Sequence, residues 1–518
     1  MQFLKDLPVL ILGLGDSGLA MARWCARCGA EVTVWDSREN PPQAAVLQAE
    51  VPTARRIVLL PLPLAGEGGG EGASPRLVLK SPGLSPHDPL VAPLLEEALA
   101  TGVAVLGELD LFVRALADLK SERGHQPKLI AITGTNGKTT TTAMTALLVE
   151  RTGRSVAMAG NIGPTLLDTL AARLDDLPAV WVLELSSFQL EGGGSGVRGF
   201  EPDAAAVLNV TQDHLDWHGS MAAYAAAKAR VFGANAVMVV NAEDPRVMAM
   251  VPAPVPAKGV KGNQGKPVER SVLRFALAAP QRPGDFGLVV ENGMAWLVRA
   301  LPPEETVKRP RRGAAEEPVE IHLQRLMPAD ALRVRGRHNA ANALAALALA
   351  SAIGCPLAPM LHGLREYAGE PHRVQWVAKV GEVEAYDDSK GTNVGATVAA
   401  LDGLGADKAP ARLVVILGGE GKGQDFAPLT APLARHARAV ATLGRDAAAV
   451  EAVIEGVPFQ RHATLESAVA WCFEQARPGD AVLLSPACAS LDMFRNYGHR
   501  AEVFVQAVQA LAHERGQA

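Results

Sequence analysis

Short β-branched runs alternate with Ala- and Leu-rich stretches along most of the chain. Residues 8–12, 31–35, 77–79, 129–132, 180–185, 204–209 and 236–240 are strand-long and mostly apolar. A strand that is apolar on both faces leaves no side for water, so it belongs in a parallel sheet covered by helices. The alternation restarts after about residue 370, with 413–417, 439–443 and 481–485. The expected fold class is therefore α/β, with open sheets of the nucleotide-binding kind. The 518 residues suffice for about three domains. Boundaries placed near 118 and 370 give units 1–118, 119–369 and 370–518.

Three segments break the pattern. Residues 60–75 (LPLPLAGEGGGEGASP) are low-complexity and read as a flexible surface insertion. Residues 191–199 (EGGGSGVRG) read as a loosened loop. Residues 252–320 are rich in Pro and charge, with strand-like pieces at 286–290 and 295–298; they read as a peripheral β-element inserted into the middle unit, with poorly ordered connections.

Composition excludes several classes. Fifty Lys and Arg stand against 55 Asp and Glu, a net charge of −5, which argues against a dedicated binder of nucleic acid or anionic membrane. Five cysteines do not make a disulfide scaffold. Cys25 and Cys28 form a lone CxxC with no second pair at zinc spacing, so they read as small helix residues. The N-terminal apolar run ends in a glycine turn and not at a cleavage site. The longest apolar helix candidate, 339–353, is too short and Ala-rich to span a bilayer. A monomeric cytoplasmic protein is expected.

Chemistry concentrates where strands end. Gly13-Leu14-Gly15-Asp16-Ser17-Gly18 follows the first strand and opens a helix, and Asp36 ends the next strand. Glycines let backbone approach a pyrophosphate, the helix N-terminus favours the anion, and the acid can meet a ribose hydroxyl. Plain strand–helix packing would use the same glycines. Thr133-Gly134-Thr135-Asn136-Gly137-Lys138-Thr139 resembles a phosphate loop, although Ile132 stands where the strict pattern has glycine. Its amides would cradle phosphate oxygens, Lys138 would reach the terminal phosphates, and the Thr139 hydroxyl would hold a metal.

Glu184 closes another apolar run, in position to hold magnesium. Asp213, His214 and Asp216 follow the run at 204–209 and can bind metal, polarise a substrate oxygen, or merely line a loop. Lys228, in AAYAAAKARVF, reads from residue chemistry alone as a solvated helix lysine. Asn339 and Asn342 share one helix face. Pro371-His372-Arg373 and residues 387–393 flank a strand-like stretch; residues 418–424 make another anion-ready turn carrying Lys422; residues 485–492 can form a nest of backbone N–H groups. In open α/β sheets ligands gather outside the carboxyl ends of strands. Three such edges face to face would form a cleft for a nucleotide-carrying substrate, ATP and a third small molecule.

The joint occurrence of GTNGKTT, GNIG at 160–163, ELSSFQL, HNAAN and PHR resembles the Mur ligase family of ATP-dependent amide-forming enzymes, over almost the whole chain outside the three interruptions. Within it, ELSSFQLE at 184–191, DSKGTNVGAT at 388–397 and SPACASLDMF at 485–494 look most like the members that use D-glutamate. The resemblance implies a UDP-binding Rossmann-like N-terminal domain, a central P-loop ATPase-like domain with a parallel sheet, and an amino-acid-binding Rossmann-like C-terminal domain hinged near residue 370. It implies that ATP phosphorylates the carboxylate of UDP-N-acetylmuramoyl-L-alanine to an acyl phosphate, which the amine of D-glutamate attacks. ADP and phosphate leave, in the cytoplasmic synthesis of peptidoglycan precursors. A sibling activity on another amino acid is the alternative. A nicotinamide oxidoreductase would leave the phosphate loop without a role.

Site residues follow by the same resemblance. Gly134, Thr135, Asn136, Gly137, Lys138, Thr139 and Thr140, with Asn339, Arg373 and Asp388, would hold ATP. Two magnesium ions are implied, one on Thr139 and Glu184, the other on His214 and Lys228, with Lys228 carbamylated. Lys138, His214 and Lys228 would be catalytic. The uridine nucleotide would lie on Leu14, Gly15, Asp16, Ser17, Asp36, Ser37, Arg38 and Gly83, with Asn161. D-glutamate would meet His214, Lys390, Thr392, Lys422, Ser490 and Leu491. Tyr497 stands where the family often has Phe, which adds a hydroxyl to that pocket.

Overall fold

The computed structural model describes residues 2–58, 60, 74–192, 196–254, 269–302, 321–334 and 336–516. Most of the insertion read at 60–75, the centre of 191–199 and the connections 255–268 and 303–320 lie outside those residues.

Three sheets follow one another along the chain. The first holds β1 (Pro8–Leu12), β2 (Glu31–Trp35), β3 (Arg55–Ile57), β4 (Leu77–Lys80) and β5 (Ala104–Leu106), in the order β3-β2-β1-β4-β5 and parallel throughout. The second holds β6 (Lys128–Thr133), β7 (Val156–Gly160), β8 (Val180–Glu184), β9 (Ala204–Val207), β10 (Val237–Asn241), β11 (Val272–Phe275), β12 (Phe286–Glu291), β13 (Met294–Leu301) and β14 (His322–Pro328). Its order is β14-β13-β12-β11-β10-β9-β6-β8-β7. The third holds β15 (Gln375–Val380), β16 (Val383–Asp387), β17 (Leu413–Gly418), β18 (Ala437–Leu443), β19 (Phe459–Arg461) and β20 (Ala481–Leu484), in the order β15-β16-β20-β17-β18-β19.

The apolar runs became these strands because both their faces are buried: every residue of β4, β8, β9, β17 and β20 is buried. Two sheets are not purely parallel. β12, β13 and β14 pair antiparallel at one edge of the second sheet, and β15 pairs antiparallel with β16. Short turns explain both. Asn292 and Gly293 have φ of 51° and 79°, the left-handed pair of a two-residue hairpin. Gly381, with φ of 64°, opens the turn between β15 and β16. The Pro- and charge-rich stretch thus adds its strands at the margin of the second sheet, away from β6.

Small side chains set how closely the layers approach. Helix Arg337–Ala352 buries almost every residue from Asn339 to Ala350, as a helix apolar all round must. It lies between helix Lys138–Arg151 and strands β9 to β12. Asn339 and Asn342 at its start line the same cavity as Gly137 and Thr140 at the start of the phosphate-loop helix.

Gly18 shows the same constraint in the first sheet. A Cβ there would lie 2.0 Å from the Gly13 carbonyl oxygen, because helix Asp16–Arg27 is seated hard against β1. Gly15 has nothing within 4 Å of such an atom. Gly18→Ala is therefore expected to cost about 1–3 kcal/mol as overpacking, and Gly15→Ala about 1 kcal/mol or less, as a helix-cap change. Thermal unfolding of the two variants checks the ranking; equal melting temperatures would contradict it.

Candidate active site

The loop after β6 is bent by glycines. Gly134 has φ of 153° and Gly137 of 81°, and a Cβ at Gly137 would fall 2.6 Å from Asn342 Oδ1. Asn209, beyond β9, clamps the loop: its Oδ1 accepts from the Asn136 amide at 2.8 Å, and its Nδ2 donates to the Asn136 carbonyl at 3.1 Å. Backbone amides are thus held ready to meet phosphate oxygens.

Two lysines converge on this loop. Lys138 Nζ donates to the carbonyls of Gly134 at 3.0 Å and Thr135 at 2.9 Å. Lys228 Nζ donates to the same Gly134 carbonyl at 2.9 Å and lies 4.4 Å from the Tyr224 ring centre. Lys228 is 2% exposed, so the solvated helix lysine expected from residue chemistry is corrected: its helix, Met221–Ala229, turns that face inward. Burial first, and the Lys138 charge second, push the Lys228 ammonium well below the usual lysine range. Burial lowers Lys138 too, against the pull of Glu184.

Oxygen donors lie alongside. Glu184, at the end of β8, is 2% exposed. Its Oε1 accepts from Asn161 Nδ2 at 2.9 Å; its Oε2 is buried with no hydrogen-bond partner among the described residues. The Thr139 hydroxyl accepts from Arg373 Nη2 at 2.8 Å. One unpartnered carboxylate oxygen and one hydroxyl beside a phosphate loop fit magnesium, which takes one or two carboxylates and completes its shell with phosphates and water. His214 has φ of 51°, and its Nε2 lies 3.6 Å from Asp213 Oδ2. Burial lowers its pKa against the attraction of Asp213, and the charges of Lys422, Lys138 and Lys228 lower it further. Its imidazole is therefore neutral near pH 7, with a lone pair to offer.

The third sheet contributes from the ends of β16 and β20. Burial pushes Asp388 up to about 7, against the Ser485 hydroxyl, which donates to it at 2.6 Å, and the Arg373 charge. Lys390 Nζ donates to the Tyr497 hydroxyl at 3.1 Å, so the Tyr found in place of Phe acquires a partner. Lys422 has φ of 52° and is exposed; Ser490 is buried and Leu491 is 66% exposed. Thr392 is half-buried just beyond Lys390. A cavity of about 300 Å³ opens between the second and third sheets, lined by Asn136, Gly137, Thr140, Asn339, Asn342, Arg373 and Asp388 among others. Of the residues predicted for ATP, Asn136, Gly137, Thr140, Asn339, Arg373 and Asp388 line this crevice, while Gly134, Thr135, Lys138 and Thr139 lie on the adjoining loop outside its lining.

In the first sheet, Asp36 Oδ2 accepts from the Leu14 amide at 2.6 Å, and both its oxygens accept from Arg38 at 2.8 Å. The Arg38 amide adds a fourth bond. Asp36 is therefore fully engaged in shaping the turn and presenting the exposed Arg38. Asp16 accepts from Gln43, Ser37 is exposed, and Gly83 has open space beside it.

Sequence reasoning missed Lys80, Glu108, Trp217 and Asn393. Lys80 ends β4, donates to the Leu84 carbonyl at 2.9 Å and lies 5.3 Å from the Trp217 ring centre, linking the first sheet to the loop of His214. Burial pushes its pKa down to about 8, with Glu191 opposing. Glu108 is buried, accepts from the Leu167 amide at 2.9 Å and is pushed up to about 7 by burial. Lys80 and Asn393 carried a usable signal, since both stand at strand-end loops; Trp217 and Glu108 carried none.

Asp36 has a pH signature. Burial alone would raise its pKa, but Arg38 and the two amides prevail and hold it at about 2. A depressed carboxylate stabilises the fold fully above its unfolded value near pH 4, and that contribution is lost as pH falls through about 2. Asp36→Asn should remove part of the acid sensitivity of the fold in that window. Urea midpoints measured from about pH 5 to pH 2 check it; parallel curves for variant and parent would count against it.

Comparison with known proteins agrees with this geometry. Residues 8–61 match the Mur ligase MurD-like N-terminal domain, 132–266 the Mur ligase middle domain and 372–488 the Mur ligase glutamate ligase domain. A UDP-N-acetylmuramoylalanine–D-glutamate ligase of Albidiferax ferrireducens is 60% identical, covering 100% of this chain and 99% of its own. That of Burkholderia cenocepacia is 55% identical over 98% of both. Among solved structures, a MurF ligase from Thermotoga maritima in complex with ADP aligns with a TM-score of 0.57 at 16% identity, covering 99% of this chain and 96% of its own. MurF from Acinetobacter baumannii gives 0.56 at 15% identity, covering 98% and 91%. The last two speak for the fold alone. A phosphate loop joined to the third sheet, and sequence identity that runs from end to end, place the chain in the Mur ligase family.

Proposed function

We propose that the chain joins D-glutamate to UDP-N-acetylmuramoyl-L-alanine, with ATP converted to ADP and phosphate, as a step in peptidoglycan precursor synthesis. The observation that carries this reading is identity of 50–60% over the full length of relatives that bear that activity in their names. The geometry supports it.

The carboxylate and the triphosphate are both anions, so their encounter needs positive charge and dipoles fixed in advance. The loop amides of Gly134 to Lys138 and the Lys138 ammonium would hold the phosphates. Arg373, 2.8 Å from the Thr139 hydroxyl, reaches the loop from the third sheet. Bound magnesium would neutralise charge on the phosphates; Glu184 and Thr139 would hold one ion, His214 and Lys228 another. A lysine amine that has given up its proton can attack carbon dioxide, forming an N–C bond and releasing one proton, and the downward push on Lys228 favours that form. The resulting carbamate would turn Lys228 from a cation into an oxygen ligand.

The adenine end of ATP suits the cavity beside Asn339 and Asp388. The uridine nucleotide suits the turn at Leu14, Gly15, Asp16 and Ser17, with Ser37, Arg38, Gly83 and Asn161. D-glutamate would sit among His214, Lys390, Thr392, Lys422, Ser490 and Leu491. Units 1–118, 119–369 and 370–518 then correspond to UDP-, ATP- and amino-acid-binding domains. Among the described residues no helix is long and apolar enough to cross a membrane. We place the monomeric chain in the cytoplasm, where ATP and uridine nucleotides are found.

The test is release of ADP and phosphate. It is expected only when UDP-N-acetylmuramoyl-L-alanine and D-glutamate are both present. Turnover with L-alanine or a diamino acid in place of D-glutamate would assign a sibling activity, and no turnover with any of them would end the proposal. Lys138→Ala should lose at least ~10³-fold, about 4 kcal/mol of transition-state stabilisation. The carbamate predicts a carbon signal from labelled bicarbonate that vanishes in Lys228→Ala; a signal retained in that variant would dismiss it.

A further inference from the structure

We infer that Asn393 is a positioning residue: one carboxamide that ties the Lys390–Thr392 turn of the third sheet to the phosphate loop and to the Asp213–His214 loop. The inference rests on the site reading above. Asn393 is 6% exposed. Its Oδ1 accepts from the Ala396 amide at 2.9 Å and from Asn136 Nδ2 at 3.2 Å. Its Nδ2 donates to Asn136 Oδ1 at 3.0 Å and to Asp213 Oδ2 at 3.3 Å. A carboxamide has two acceptor positions and two donor hydrogens, and all four are used.

The neighbours make the tie directional. Thr392 N donates to the Lys390 carbonyl at 2.9 Å, so the preceding turn is tight and moves with Asn393. Val394 N donates to Gln424 Oε1 at 3.0 Å, which joins the turn of Lys422 to the same point. A Cβ on Gly395 would lie 3.1 Å from both Asn136 Nδ2 and Thr211 Oγ1, so a side chain at this helix start would crowd the phosphate loop and the segment after Asn209. The side chains proposed to hold the attacking amine are thereby set, within three residues, against the loop proposed to hold the phosphates. Reacting atoms must come within about 3–3.5 Å, and a misplacement of about 1 Å costs ~10²-fold in rate. The other strong cap residues do not serve. Serine and aspartate would still cap helix Val394–Lys408, but serine lacks the paired donors, and aspartate would put a second carboxylate beside Asp213.

The experiment compares Asn393→Ser and Asn393→Asp with the parent chain. Asn, Ser and Asp all cap helices well, so a residue that only caps would leave melting temperature, exchange and rate alike in all three. We expect similar melting temperatures, and amide hydrogen exchange of residues 133–140 faster by ~10-fold or more in both variants. In turnover, kcat should fall ~30-fold in Asn393→Ser and further in Asn393→Asp, with KM for the UDP-linked substrate unchanged. Asn136→Ser combined with Asn393→Ser should lose little more than either alone. Unchanged exchange in the phosphate loop, or losses that simply multiply in the double variant, would overturn the inference. Should Asn393→Ser fail to fold, the exchange comparison is made on Asn136→Ser, which removes the same pair from the other side. Exchange is read without substrates, so a parent chain inactive with D-glutamate would sink the proposed function while the latch is still decided.

Discussion

Two lysine Nζ atoms, those of Lys138 and Lys228, share one carbonyl oxygen, that of Gly134, and the site is organised around their convergence. In water such a pair would separate. Here burial, the Tyr224 ring and the helix geometry hold Lys228 in place, and its proton is correspondingly weakly held. Asp213 and Glu184 supply the opposing negative charge, and one Glu184 oxygen has no hydrogen-bond partner among the described residues. The arrangement is poor as a stability device, since buried charge costs free energy unless it is fully paired. It is well suited to receive phosphates and cations that complete the pairing.

The three sheets present their carboxyl ends to this centre by different means. The first reaches it through Lys80 over Trp217, a cation resting on the helix that follows His214. The third reaches it through Arg373 on Thr139 and Asn393 on Asn136, polar contacts between residues 234 and 257 positions apart. Side-chain hydrogen bonds of this kind can break and re-form without unpacking a core, which suits surfaces that must admit ligands. Each sheet's rigid interior meanwhile carries the strand ends that hold the reacting groups in register.

Much of the fold was legible because its signals are local. Central strands are apolar runs of the right length, and the strand seen at 8–12 was expected at those residues; β6 and β8 differ by a residue or so. The margins were not legible. β3 and β19 are short and largely exposed, so no apolar run marked them, while the apolar run of β7 was passed over. The antiparallel additions depended on turn residues, Asn292-Gly293 and Gly381, that a search for buried runs passes over. The candidate site divides the same way. Gly134, Gly137 and Lys138 announce themselves by spacing; Asn393 and Lys80 show only their place at strand ends until a distant segment is brought against them.

What the sequence by itself determined is the set of strand-ending turns and the residue types placed on them, because backbone conformation at a glycine and the reach of a lysine are properties of a few neighbouring positions. What only the tertiary structure decided is the state of those groups. Burial pushes Lys228 well below the usual lysine range and raises Asp388 to about 7, and neither follows from the residue's own segment. Charge in a folded chain is set by the water removed and by the partners supplied, and both arrive from elsewhere in the sequence.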